Sequence, residues 1–300
     1  MKTFASFFLF IAIASFTVSC NNDDDSSDTN PLPEDIIPTI TLLKIKNIGA
    51  NSVMADVIIE GDLDPQKVTS AGLTLAPEYN GVETNIHGSG VYEFKYDIGY
   101  TPNNNPPGLH HDTTYSIMAY IQYNGVTYYS EPKTFHTCGF TGESGGIVFF
   151  DKGEFTDGWR YKEVVQNEDV ISLSESTITW GAGCNGQVIG ANQEGYENTA
   201  LIVANCGENT LAKFCDDAVI YGKDDWFLPS VEELKYIFQA RGGGYIGGAS
   251  FTGAYFATST EFSGTQWSLY FLNRHVLPTI YSQTKTSTIN GDWICFSRRY

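Results

Sequence analysis

The sequence predicts a multidomain protein in which an all-β sandwich over residues 37–137 precedes an α+β domain over residues 138–300. In the first region apolar and polar residues alternate with a period of two, which is typical of half-buried strands. In the second region a capped amphipathic helix lies among strand-like runs. Residues 1–19 and 20–36 have the compositions of a signal peptide and of a disordered acidic tether.

The first 19 residues have the features of a bacterial signal peptide. Lys2 gives a positive start, and the apolar stretch from Phe4 to Val18 is too short to span a membrane comfortably. The stretch from Thr17 to Cys20 resembles a bacterial lipobox, although Thr17 replaces the usual leucine. This resemblance implies that Cys20 becomes the lipidated first residue of the mature chain. The alternative is ordinary signal-peptidase cleavage nearby.

Residues 20–36 are polar, acidic and proline-bearing, and they cannot bury enough surface to fold. At about 3.3 Å per residue they could extend roughly 55 Å from a lipid surface. An acidic run directly after the lipidated cysteine resembles the surface-export signal of Bacteroidota lipoproteins. The resemblance implies an outer-membrane lipoprotein that is exposed at the cell surface and contacts the membrane through its lipid anchor only.

Short alternating strands without an intervening helix pattern favour a β-sandwich over residues 37–137. The dipeptide Asn124-Gly125 predicts a two-residue hairpin turn, because both residues tolerate positive φ. The segment from Leu109 to Tyr115 resembles the corner between strands E and F of a fibronectin type III domain. The resemblance implies an immunoglobulin/fibronectin-like sandwich in which the Tyr115 hydroxyl bonds to backbone. We interpret this domain as a spacer or a protein-contact module.

The stretch from Asp224 to Leu234 predicts a short strand that ends at a proline and leads directly into a helix. Ser230 suits the N-cap, and Glu233 can reach back to the Ser230 amide to complete a capping box. Val231, Leu234 and Phe238 recur at helical spacing and predict the buried face. The residues given a structural role here are Trp226, Pro229, Ser230 and Glu233.

Five phrases in order resemble one family: Gly145–Gly153, Asp157–Tyr161, Asn198–Val203, Asp224–Ser230 and Ala257–Ser263. The resemblance is to the domain of unknown function named for the C-terminal domain of the Legionella collagen-like adhesin, also seen as a major paralogous domain in Fibrobacter and Bacteroidota lipoproteins. It implies a C-type lectin-like fold and a role in extracellular binding. The characterised adhesin binds glycosaminoglycans.

The charge balance argues against carrying over the glycosaminoglycan specificity. The chain has a formal net charge of −18, and residues 138–300 hold 11 Lys and Arg against 19 Asp and Glu. Sulfated glycans and nucleic acids both require clustered cations, so we expect a neutral glycan or a protein and no nucleic acid. The candidate contact residues combine aromatic faces with short polar groups: Trp267, Tyr270, Asn273, Arg274, His275, Tyr281 and Trp293. About half of these are expected to be core instead.

No catalytic, metal or cofactor site is predicted. His275 is the one histidine after residue 136, and neither an H-E-x-x-H nor a C-x-x-C motif occurs. The run Asn290–Trp293 lacks the companion carboxylates of a calcium site and fits a turn better. An oxidative enzyme on a lectin-like fold, with paired thiols, is a remote alternative.

Five cysteines remain besides Cys20, an odd number for an oxidising compartment. The pair favoured by spacing is Cys206 with Cys215, and Cys138 with Cys295 would join the ends of the domain. This arrangement leaves Cys184 single. Sequence does not fix the connectivity, and Cys206 and Cys215 could also be buried free thiols.

Two function classes follow from these observations. The leading hypothesis is a surface-anchored binding or adhesion lipoprotein that recognises an extracellular glycan or protein through its C-terminal domain. The rival is a structural subunit of a cell-surface assembly, in which both domains make protein contacts only.

Overall fold

The computed structural model describes residues 36–76, 88–97, 109–173, 177–240, 245–246, 249–250, 254–272, 279–289 and 291–300. The predicted signal peptide, Cys20 and the predicted tether up to residue 35 lie outside the described residues. The chain from Ile36 to Tyr300 clusters as one compact unit. Strands in several sheets make up most of its regular structure. Within the described part, no helix combines the length and apolarity that crossing a membrane requires.

The first part of the chain is a sandwich of two antiparallel sheets. One sheet has the order β1-β2-β4, and the other has the order β3-β5-β6 with β7 also paired to β5. Alternate residues of β2 and β5 are buried, so the inward faces of both sheets share one apolar core. This confirms the predicted all-β sandwich. The strands are β1 (Thr39–Lys46), β2 (Ser52–Glu60), β3 (Val68–Ala76), β4 (Gly90–Asp97), β5 (Thr114–Tyr123), β6 (Val126–Tyr129) and β7 (Lys133–His136).

Two local features of the sandwich match the sequence prediction. Asn124 and Gly125 have φ values of 50° and 79°, and Tyr123 pairs with Val126 across them, as the two-residue hairpin requires. The amide of His110 donates a hydrogen bond of 2.8 Å to the Tyr115 hydroxyl. Tyr115 therefore ties the start of β5 to the preceding corner.

The second part of the chain mixes strands and helices around a separate core. A five-stranded sheet has the order β10-β16-β13-β14-β15, and a three-stranded sheet has the order β17-β9-β8. Helix α3 packs on the larger sheet, with the Phe238 ring 4.7 Å from Phe256 and 5.4 Å from Tyr270. The elements are β8 (Ile147–Thr156), β9 (Trp159–Val164), β10 (Ile171–Ser172), α1 (Gly195–Cys206), α2 (Leu211–Asp216), α3 (Val231–Ala240), β11 (Tyr245–Ile246), β12 (Ala249–Ser250), β13 (Ala254–Glu261), β14 (Gln266–Leu272), β15 (Thr279–Thr284), β16 (Trp293–Ile294) and β17 (Ser297–Arg299).

The start of α3 contains the predicted capping box. The Ser230 amide donates to Glu233 Oε2 at 2.8 Å, and the Glu233 amide donates to Ser230 Oγ at 3.3 Å. Glu233 also accepts from Lys162 Nζ and from the Gly195 amide, both at 2.8 Å, so it joins three elements. The predicted strand before the proline is wrong, because Phe227 forms only a single bridge, with Ser297.

Trp226 and Pro229 are both buried beside this helix start. The Trp226 indole donates to the Lys223 carbonyl at 3.1 Å, which closes the turn before it. The Pro229 carbonyl accepts from the Ser259 amide at 2.9 Å. These contacts hold the helix start against β13 and give both residues a structural role.

The disulfide of the structure joins Cys184 to Cys206, so the predicted Cys206–Cys215 and Cys138–Cys295 pairs are wrong. Cys206 ends α1, and a 3₁₀ turn places Cys184 against that end. Cys215 instead lies on the buried face of α2, and Cys138 lies in the connection between the two cores. Short sequence spacing failed as a guide, because a turn distant in sequence brings Cys184 to Cys206, while Cys215 is buried in the core as a free thiol.

Candidate ligand-binding surface

Two of the residues predicted to contact a ligand are core residues. Trp267 is 0% exposed and stacks on Trp180 with ring centroids 6.3 Å apart. Tyr270 is 2% exposed beneath Phe238, and burial raises the pKa of its hydroxyl far above the ordinary value. Neither side chain can stack on a ligand, because Trp180 covers Trp267 on one face of β14 and Phe238 covers Tyr270 on the other.

The other predicted contact residues differ in their location and exposure. Asn273, Arg274 and His275 lie outside the described residues. Trp293 is half-buried in β16 and packs against the core. Tyr281 is exposed on the edge strand β15. Among the described candidates, Tyr281 is therefore the side chain that is well placed to meet a ligand.

Tyr281 belongs to a group of three aromatic rings, which we call the aromatic platform. The ring of Tyr255 is 4.7 Å from Phe271 and 5.5 Å from Tyr281, and Phe271 is 5.7 Å from Tyr281. Tyr255 and Tyr281 are 38% and 44% exposed, and Phe271 is half-buried between them. Three rings in mutual contact at the surface form a rigid apolar area with two hydroxyl groups at its margin.

The strand register explains why these rings meet. Tyr255 on β13 lies directly opposite Phe271 on β14. Tyr281 on β15 lies opposite Leu269 on β14 and is therefore diagonal to Phe271. Because side chains alternate along a strand, all three rings point to the same face of the sheet. Helix α3 covers the opposite face, so the platform lies on the face away from that helix.

On the same face of the sheet, the strand ends beyond the platform are covered, because Trp267 there packs against Trp180. Trp267 and Gln283 are direct cross-strand neighbours there. The Trp267 Nε1 and Gln283 Oε1 atoms are buried and have no hydrogen-bond partner among the described residues. Buried polar atoms of this kind normally bond to protein, water or ligand. The platform therefore borders one donor and one acceptor whose hydrogen bonding the described residues leave open.

A buried ion pair fixes the chain segment beside this end of the sheet. Lys285 is fully buried, pairs with Glu261, and donates to the Gln187 carbonyl at 2.7 Å. Glu261 also accepts from the amides of Ile189 and Gly190, at 3.1 Å and 2.9 Å. The segment beside the covered end of the sheet is thus held by charge-assisted hydrogen bonds, so a ligand need not order this end of the sheet.

A second surface feature, which we call the acidic groove, lies near α2. It has a volume of about 460 Å³. Glu168, Asp169 and Asp217 line its margin, and Val219 beside them is 71% exposed. An apolar floor with an acidic margin suits a protein segment that carries both apolar and basic side chains. The floor is formed by Ile171, Phe214, Ala218, Val219, Ile220 and Phe296.

Within the described ranges, no cluster of three or more His, Cys, Asp or Glu residues is arranged to hold a metal ion. Comparison of the chain with protein-family models and with curated protein sequences finds no match. The family resemblances inferred from the sequence therefore remain predictions.

Sequence reasoning missed Tyr255 and Phe271, which complete the platform. Their strands were visible as apolar runs, but which rings meet depends on the cross-strand register. That register shifts between Ala257 and Glu261 at an irregularity in β13. The sequence does show aromatic residues in each of the three strands. It does not show which residues of neighbouring strands lie opposite each other.

Proposed function

We propose that this chain is a surface-anchored binding or adhesion lipoprotein whose C-terminal part recognises an extracellular glycan through the aromatic platform. The observation that carries the proposal is the exposed, mutually packed group of Tyr255, Phe271 and Tyr281. Aromatic faces bind the apolar faces of sugar rings, and nearby hydroxyl groups supply directional hydrogen bonds. An exposed extracellular protein surface is the alternative ligand of the same platform.

Charge favours a neutral glycan over a sulfated one. Residues 138–300 have eight more acidic than basic side chains. Each sulfate group is a fixed anion that needs Arg or Lys partners, and an acidic domain repels it. We therefore expect binding that depends weakly on salt, in contrast to the glycosaminoglycan binding of the adhesin that the sequence resembles.

The proposed architecture places this platform on a tethered stalk. In this proposal Cys20 is lipidated, residues 20–36 form the tether, and a fibronectin type III-like sandwich separates the C-type lectin-like head from the outer membrane. The lipobox resemblance supports this assignment. Cys20→Ala should release the protein from the membrane into the soluble fraction, as measured by fractionation and immunoblotting. Continued tight membrane association of this variant would contradict the anchor.

A glycan array probed with the purified protein tests the ligand class. We expect saturable binding to neutral glycans that Tyr281→Ala reduces at least tenfold, because a stacking face is lost. The matched control is Tyr129→Ala, which removes a tyrosine of the sandwich that is also exposed, at 57% against 44% for Tyr281. Trp267→Ala is unsuitable, since loss of this core side chain should cost about 3–5 kcal/mol of stability, and lost binding could then reflect lost folding. Equal binding by the Tyr281→Ala and wild-type proteins would exclude the platform.

The acidic groove supports the second candidate function, a structural subunit of a cell-surface assembly. Its exposed apolar floor and carboxylate margin suit contact with a basic protein segment. An array without any bound glycan, together with envelope proteins that co-purify with the wild type and are lost in Val219→Asp, would favour this function over glycan binding.

A further inference from the structure

The sandwich and the C-terminal part are joined by a fixed seam. The amide of Ile48 donates to the Asp151 carbonyl at 2.8 Å, and the Asp151 amide donates back at 2.9 Å. The Cys138 amide donates to the Gly49 carbonyl at 3.0 Å. The turn between β1 and β2 is therefore bonded to β8 and to the connection between the two cores. Side chains that face each other across this seam hold defined positions.

A cleft of about 290 Å³ opens along the seam. Thr134 and His136 on β7 line its sandwich side, and Phe140, Arg160 and Tyr161 line the other side. Ligand sites in proteins occur preferentially at such interfaces between domains. The volume lies at the lower end of the range for ligand pockets, so it suits one small ring rather than a chain of rings.

Aromatic rings form a continuous wall of this cleft. The His136 ring lies 5.5 Å from Phe140, and Phe140 meets Tyr161 edge-on at 6.0 Å. The Arg160 guanidinium lies over the Tyr161 ring at 4.8 Å. His136 has both ring nitrogens engaged, with Thr114 at 2.8 Å and Asp112 at 2.9 Å. The histidine therefore contributes its ring surface, and the wall is rigid.

The polar groups of the cleft have unused hydrogen-bonding capacity. Arg160 donates from Nε and one terminal nitrogen to the two Asp151 oxygens, at 2.8 Å and 2.9 Å. Three of the five guanidinium N–H groups remain outside this pair. The Tyr161 hydroxyl has no hydrogen-bond partner among the described residues, while partial burial raises its pKa. The Asp151 carboxylate is buried and also accepts from the Gly153 amide at 2.7 Å, so the groups left for a ligand are the Arg160 donors and the Tyr161 hydroxyl, which can donate or accept.

The charges select the class of ligand. Arg160 is neutralised by Asp151, so it offers no unpaired cation to a sulfate or carboxylate. The Asp112 carboxylate, which is bonded to His136, would also repel an anionic ligand in the cleft. A cationic ligand could not use the remaining Arg160 N–H groups, because both partners would be hydrogen-bond donors. A neutral polyhydroxylated ring avoids both conflicts: its hydroxyls can accept from Arg160 and hydrogen-bond with the Tyr161 hydroxyl, while its apolar face lies on the aromatic wall.

We propose that the cleft between the sandwich and the C-terminal part binds one neutral sugar ring, at a site separate from the aromatic platform. The ring is either a free monosaccharide or the terminal unit of a glycan. The site lies at the seam, so an occupied cleft would contact both parts of the protein at once. The proposal does not depend on binding at the platform.

Ligand-detected NMR and calorimetry on the purified protein test this site, with the methyl glycosides of glucose, galactose, mannose and N-acetylglucosamine as probes. We expect saturable binding of at least one probe with a Kd on the order of 1 mM, as befits a ligand of this size. Tyr161→Phe removes only the hydroxyl and should weaken binding about fivefold. Thr134→Trp places an indole in the cleft from an exposed strand position and should abolish binding.

Tyr281→Ala is the matched control, because it alters the platform and leaves the cleft intact. Retained probe binding in this variant, with loss in Thr134→Trp, supports the cleft whatever the glycan array shows for the platform. Displacement of the probe by a disaccharide ending in the same sugar identifies a glycan terminus as the source, and failure to displace it identifies a free monosaccharide. Absence of binding for all four probes, or unchanged binding in Thr134→Trp, would overturn the proposal.

Discussion

The sandwich and the C-terminal part are stabilised in different ways. Within its described residues the sandwich buries no charged side chain, and its core is made of alternating apolar residues. The described residues of the C-terminal part bury Asp151, Lys162, Glu163, Glu233, Lys285, Asp292 and Arg298. Burial of a charge is unfavourable unless it is paired and hydrogen-bonded, so these side chains must serve a purpose that apolar packing does not.

Their hydrogen bonds indicate that purpose. Buried carboxylates accept from backbone amides in segments that lack a regular sheet partner. Glu163 accepts from Gly146 at 2.5 Å, and Glu233 accepts from Gly195 at 2.8 Å. In the sandwich, strand pairing satisfies most amides, and no such anchors are needed. The difference shows that irregular segments of the C-terminal part are fixed by bonds to buried carboxylates, whereas the sandwich is held by strand pairing and apolar packing.

The largest effect should come from breaking the buried Lys285–Glu261 pair. Lys285→Met leaves the Glu261 carboxylate buried without its cation, and we expect a loss of about 4 kcal/mol in the free energy of unfolding. All five tryptophans lie after residue 138, so tryptophan fluorescence during denaturation reports on the C-terminal part alone. The double variant Lys285→Met with Glu261→Leu should recover much of this loss, since no unpaired charge remains.

Lys46 supplies the matched control in the sandwich. It pairs with Asp56 at 2.6 Å and Glu93 at 2.7 Å, but all three side chains keep solvent contact. Lys46→Met should cost less than about 1 kcal/mol, measured by circular dichroism. A cost similar to that of Lys285→Met would show that the two parts do not differ in how they use charge.

The Cys184–Cys206 disulfide provides the second test. Its cysteines are 22 residues apart in sequence, and a loop of that size restricts the unfolded chain by about 3 kcal/mol. Replacement of both cysteines by alanine should lower the stability read by tryptophan fluorescence by about this amount. Peptide mapping without reduction should yield one cross-linked fragment with these two cysteines, and Cys215 should be alkylated after unfolding. A fragment that links Cys206 to Cys215 would contradict the structure.

The same contrast explains what the sequence could predict. The alternation around Val57 and Ile117, the Asn124 turn and the corner Tyr115 depend on local spacing, and the structure contains all of them. The capping box of α3 is equally local. The platform and the disulfide depend on which distant segments meet. The cross-strand register of β13, β14 and β15 brings the platform rings together, and a 3₁₀ turn brings Cys184 to the end of α1; neither leaves a periodic signal in the sequence.

The third test uses pH. Burial raises the pKa of Asp292 from 3.8 to about 6. Between these values the folded protein keeps a proton that the unfolded chain releases, so the contribution of Asp292 is most favourable below pH 3.8 and is lost as pH rises to about 6. Asp292→Asn should flatten this slope and raise stability at pH 7 by about 2 kcal/mol, allowing for residual solvent contact of the carboxyl.

An exposed carboxyl on α2 provides the control for that slope. Asp216→Asn should change the stability by less than about 0.5 kcal/mol at any pH in this window, because the side chain stays in water. Fluorescence-monitored unfolding at several pH values between 4 and 7 distinguishes the two variants. An unaltered slope in Asp292→Asn would mean that this carboxyl titrates as it does in the unfolded chain.

The smallest expected change in stability is at the start of α3, where it tests whether Ser230 stabilises the helix or contacts the ligand. Ser230→Ala removes the hydroxyl that accepts from the Glu233 amide at 3.3 Å and should cost about 1 kcal/mol. The corresponding change in the sandwich is Asp64→Ala. Asp64 caps an exposed 3₁₀ turn through a bond of 3.0 Å to the Gln66 amide, and its loss should cost less because water can replace it.

Glycan binding should be unchanged in both variants, since neither residue lies at the platform. If Ser230→Ala left the melting temperature unchanged and abolished ligand binding, the capping residue would belong to the recognition surface, and the division between polar anchors and binding surface would be wrong.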